Sequence, residues 1–107
     1  MTDDCLLSLL APPEVTDELT DWLLAFHSEL TFTSQAVDRH GVAPEGMGQA
    51  EQVTGRQRRL LVRVRTDADG ARRLVAELDE DFGGAGLTYW IVPLLGHGRI
   101  GMDAGEA

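Results

Sequence analysis

Three groups of residues in this chain have types and spacing that suit chemistry. His40 opens a Gly-rich segment with Glu45 and Met47 a few positions on, and His97 lies between Gly96 and Gly98. Imidazole, thioether and carboxylate together suit a soft or borderline divalent metal. His40, Met47 and His97 are therefore the candidate metal ligands, without any close His-x-His or Cys-x-x-Cys spacing behind them. The second group is Arg56, Arg58, Arg59, Arg63 and Arg65. Guanidinium groups grip phosphate or carboxylate oxygens in planar pairs. Alternation along a strand sets Arg59, Arg63 and Arg65 on one side and Arg56 and Arg58 on the other. Salt bridging accounts for Arg63 and Arg65, whereas Arg56 and Arg58 suit a ligand and a structural role equally. The third group is Gly83-Gly84-Ala85-Gly86, a helix stop whose backbone amides can also approach an anion.

Other residues have plainer readings. His27 suits the negative end of a helix. Cys5 fits a small core hydrophobe. Glu77, Asp79, Glu80 and Asp81 read as a solvated helix end.

These groups need elements to position them. Cys5 to Leu10 is a short apolar run stopped by Pro12-Pro13, and reads as a buried strand. Glu14 to His27 has Val15, Leu19, Trp22, Leu23 and Phe26 at helical spacing, with Pro13 suited to the first turn. Leu30 to Val37 is β-rich and alternating, and Gln57 to Arg65 alternates as a third strand. Asp67 to Phe82 repeats the helical spacing through Ala71, Leu74, Val75 and Leu78. Leu87 to Leu94 is a fourth strand, and Pro93 predicts that it lies at an edge or ends there. Between the second and third strands, residues 38–55 hold four Gly and one Pro and no period. A loop of this length in a small domain is expected to be functional or poorly ordered, and residues 40–54 are expected to be the least ordered. Residues 96–107 form a Gly-rich tail.

The order βαββαβ predicts an α+β, ferredoxin-like domain: a four-stranded antiparallel sheet with two helices on one face. The first and last strands are apolar on both faces, so the uncovered face is expected to be buried by other subunits. Tyr89 and Trp90 fall on opposite faces, one expected under the helices and the other in an interface.

At 107 residues the chain is one domain, and its apolar fraction of 43% is that of an ordinary globular protein. It has no apolar run long enough for a bilayer and no signal-peptide pattern. A single cysteine excludes an internal disulfide and fits a reducing compartment. A cytoplasmic protein not embedded in a membrane is the expectation. The net charge of −9 argues against nucleic-acid binding. Its distribution is uneven: residues 39–65 hold six Arg and two acids, while the segments on either side are acidic.

Phe32 to Gly41 resembles the second strand and loop entry of the PII-like family, trimeric ferredoxin-like signalling proteins. Gly55-Arg56-Gln57-Arg58-Arg59-Leu60-Leu61-Val62-Arg63-Val64 resembles that family's return strand, after its long T-loop. Gly84-Ala85-Gly86-Leu87 sits where the family has its phosphate-binding Gly-x-Gly-Lys turn, and His97-Gly98-Arg99-Ile100-Gly101 near its C-terminal loop. More narrowly, Leu6 to Pro13, Gly55 to Arg59 and Tyr89 to Pro93 resemble an uncharacterised bacterial PII-like family encoded beside heavy-metal efflux pumps. Leu87 replaces the phosphate-binding Lys, and residues 38–55 hold no Tyr for uridylylation. Nitrogen signalling by ATP and 2-oxoglutarate is therefore not expected.

The resemblance implies a homotrimer that binds a small ligand at subunit boundaries and signals through its long loop, with a membrane efflux protein as partner. The implied ligand site comprises Gly41, Arg56, Arg58, Gly84, Gly86 and Arg99, for an adenine nucleotide or another small anion. A CutA-like divalent-metal protein is the alternative. A small ferredoxin-fold enzyme ranks below both, because the cleft between helices and sheet is predicted to be apolar and to lack His.

Overall fold

The computed structural model describes residues 3–41 and 56–102. Strand β1 spans Asp4–Ala11, followed by a 3₁₀ turn at Pro13–Val15 and helix α1 at Thr16–Phe26. Strand β2 covers Phe32–Arg39 and β3 Gln57–Asp67. Helix α2 is Ala68–Phe82, and β4 is Thr88–Pro93. The strands form one antiparallel sheet in the order β2-β3-β1-β4. The architecture is α+β, with the elements in the predicted order and their ends displaced by at most two residues. Of the expectation for residues 40–54, the part on residues 42–54 lies outside the described residues, as do Glu45 and Met47.

The core follows from alternation. Cys5, Leu7, Leu9 and Ala11 of β1 are all buried, as are Val62 and Val64 of β3. Register sets Leu7 against Val64 and Leu9 against Val62, so these side chains share one face. Leu19 and Leu23 of α1 and Ala71, Leu74 and Leu78 of α2 complete a single cluster on that face. Both helices therefore cover the same side of the sheet. Asp67 caps α2 by accepting from the Gly70 amide at 2.6 Å. At the other end Gly83 is required, because a Cβ there would come within 2.5 Å of the Asp79 carbonyl.

The opposite face is divided. Leu6, Ser8 and Leu10 of β1 stand beside Arg65, Arg63 and Leu61 of β3, and beside Val92, Trp90 and Thr88 of β4. It is apolar toward β4 and basic toward β2. Edge strand β4 is exposed along its whole length, Trp90 to 43% and Tyr89 to 54%. Tyr89 and Trp90 do lie on opposite faces, but Tyr89 is not packed beneath the helices. It lies beside the last turn of α2, at a cleft that the helix covers only in part. Pro93 closes β4 at the sheet edge, as its missing N–H predicts.

Candidate functional site

Strand direction decides which candidate residues meet. β3 enters the sheet at Gln57, β1 leaves it at Ala11, and β4 enters it at Thr88, so these three termini lie at one end. The β2–β3 hairpin brings Asp38 opposite Arg58 and Arg39 opposite Gln57. Arg56 Nη1 lies 3.2 Å from the Asp38 carboxylate, and Arg59 Nη1 donates to the Arg58 carbonyl at 2.6 Å. Asp38 thus offsets part of the arginine charge. His40 and Gly41 follow directly, both exposed, with Gly41 at φ +85°. The turn after α2 reaches the same end. Gly84 and Gly86 both adopt φ +86°, which favours glycine. A Cβ at Gly86 would touch Pro12 at 3.6 Å, which fixes this turn beside the exit of β1. Two strand spacings, roughly 10 Å, separate the arginine hairpin from it.

The tail goes the other way. The Leu94 amide donates to the Asp4 carbonyl at 3.0 Å, and His97 Nε2 lies 2.8 Å from Asp4 Oδ2. Arg99 is exposed just beyond. These contacts pin the tail to the start of β1. From Asp4 to Ala11 is seven strand steps, or about 23 Å. Within one chain, then, His97 and Arg99 do not meet His40, Arg56 and Arg58. Among the described residues no group of three or more His, Cys, Asp or Glu converges as a metal centre. Arg63 and Arg65, assigned to salt bridges, are both exposed on the face opposite the helices.

A second polar cluster joins the helices where a solvated end was expected. His27 Nδ1 is 3.5 Å from Glu29, and its Nε2 is 3.2 Å from Glu77. Trp22 Nε1 donates to Asp81 at 2.7 Å, and the Trp22 ring meets Phe82 edge-on at 5.8 Å. Glu77 and Asp81 therefore tie α2 to α1, while Asp79 and Glu80 remain exposed. His27 does close α1, its amide donating to the Leu23 carbonyl at 2.9 Å. Cys5 is buried in the core cluster, as expected. Burial pushes its thiol pKa up from 9.0, and the Asp67, Asp3 and Asp4 carboxylates add to the shift.

Neither the Asp4–His97 contact nor the Trp22–Asp81 bond was signalled in the sequence. Their partners lie 93 and 59 positions apart, and neither pair forms a short motif.

Fold and geometry together define a small α+β protein with an arginine-bearing hairpin at one end of an antiparallel sheet. The chain belongs to the family described as "Protein of unknown function (DUF3240)", whose model matches residues 1–101. A crystal structure of a DUF3240 family protein from Shewanella baltica OS155 is similar to it, with a TM-score of 0.72 and 19% identity. The match covers 94% of this chain and 99% of that one, a likeness of fold. No curated protein matches the chain. Among the described residues no helix is long and apolar enough to cross a membrane.

Proposed function

We propose that this chain is a PII-like regulatory protein, not an enzyme. It forms a homotrimer, binds a small anion between subunits and signals through its long loop. The observation that carries this reading is the placement of the candidate residues. The arginine hairpin and the Gly84–Gly86 turn share one end of the sheet, and His97 and Arg99 lie at the other. A site that uses both groups takes them from two chains. The exposed apolar residues of β4 and the apolar half of the uncovered face support subunit contact there. The element order, with strands β4-β1-β3-β2 and both helices on one face, supports a ferredoxin-like sheet. Arg56, Arg58 and Arg99 supply the cationic contacts, and Gly41, Gly84 and Gly86 leave room for backbone approach. Anion binding orders the loop, and a transport protein in the membrane reads that order. Contact between neighbouring subunits also brings His40 and His97 together, as a soft-metal site for zinc or copper.

Native mass spectrometry of the full chain with ATP, inorganic phosphate, zinc or copper tests this directly. Trimers carrying a stoichiometric ligand are expected. A stable monomer of 11.6 kDa at micromolar concentration, or trimers that take none of the four probes, refutes it.

A further inference from the structure

The geometry points to a second binding site, between the last turn of α2 and the start of β4, for a small organic monocation with a benzene-sized apolar body. A cleft of about 150 Å³ lies there, above Leu9 of the sheet. Its walls are Val75, Leu78 and Phe82 from α2 and Leu87 from the connecting turn. An apolar cavity of roughly that volume accepts benzene in another protein. Gly84 and Gly86, both at φ +86°, complete the lining on the side of the turn. Tyr89 lines the mouth and is more than half exposed, so its ring is accessible for a cation to stack on.

Charge sets the sign of the ligand. Among the described residues Asp79 is the one charged residue in the lining, which holds no Arg or His. The carboxyl end of a helix is already negative, and helices commonly place Lys, Arg or His there. Here the last turn of α2 has no basic residue and carries Asp79, Glu80 and Asp81. Asp81 is engaged by Trp22, whereas Asp79 faces the cleft. A local rule broken at the rim of an apolar cleft marks a functional position. The cleft shares Gly84 and Gly86 with the proposed anion site, but none of the hairpin arginines lines it.

The test is a titration of the isotope-labelled full chain, followed by amide NMR, with benzylammonium, benzyl alcohol and benzoate. These probes share a ring and differ in charge. Benzylammonium is expected to shift the amides of Leu78, Phe82, Gly84 and Leu87, and to bind about tenfold tighter than benzyl alcohol. Benzoate is expected to bind weakest. Asp79→Asn, at an exposed position, should bring benzylammonium to within about twofold of the alcohol and leave the alcohol unchanged. Benzoate binding as tightly as benzylammonium, an unchanged preference in Asp79→Asn, or no shifts at the cleft with any probe would each overturn the proposal.

Discussion

If the anion site is shared between chains, two defective variants should repair each other. Arg58→Ala and Arg99→Ala each remove one charge-assisted contact, worth about 1.5–3 kcal/mol. ATP is then expected to bind either variant alone roughly tenfold to a hundredfold more weakly than the parent. The distance of about 23 Å along β1 prevents one chain from supplying both side chains to one ligand. Unfolding the two variants together at equal concentration and refolding them gives mixed oligomers. A shared site is intact only where an Arg99→Ala chain supplies Arg58 and its Arg58→Ala neighbour supplies Arg99. With random assembly that arrangement occurs at half times half, about a quarter of all sites. Equilibrium dialysis of ATP against the mixture should therefore show about a quarter of the parent's sites at the parent's affinity. Size-exclusion chromatography confirms that the mixture has the parent's oligomeric state. If the mixture binds only as the average of its two components, the arginines do not cooperate across a boundary and the argument from placement fails.

Three further outcomes follow from the core and from its thiol. Leu74 is 2% exposed within the helix–sheet cluster, so Leu74→Ala should lower the unfolding free energy by about 2–5 kcal/mol in a urea titration. Because the folded-state pKa of Cys5 is raised above its unfolded value near 9.0, its contribution to stability is full below that pH and falls as pH rises above it. Cys5→Ser should flatten this alkaline loss, and the native thiol should react with an alkylating reagent at pH 8 far more slowly than the unfolded chain does.

Periodicity in the sequence reports faces, and the faces of β3 and α2 are legible in it. Leu60, Val62 and Val64 alternating with arginines predicts β3, and the structure puts the two buried valines of that set in the core. The spacing of Ala71, Leu74 and Leu78 predicts the buried stripe of α2. Pro93 predicts an edge, and β4 is one. Strand ends are less legible because pairing, and not composition, decides them. β2 extends to Arg39 because Arg39 finds Gln57 opposite it. Contacts between distant termini were not legible at all. Nothing local in Asp4 or His97 announces the other, and their meeting depends on β4 running back along β1. The cleft beside α2 is hidden for a similar reason: Tyr89 falls on the helix side of β4 and looks like a core residue, yet it is more than half exposed at the cleft. Met47, at the centre of the long loop, lies outside the described residues and keeps only its reading from sequence.

The position of β1 in the sheet governs how the chain can fold as it is made. It precedes both of its partners in the chain, so Leu9 must wait for Val62 on one side and Tyr89 on the other. Both partners are far away in sequence, and pairings of that kind are slow because a long loop must close before any contact rewards it. A nascent chain that stops short of β3 carries Leu6, Leu7, Leu9 and Leu10 with no strand to receive them. Such a fragment is sticky, and a ribosome-stalled or truncated product of this gene should be a client for chaperones until most of β4 has emerged.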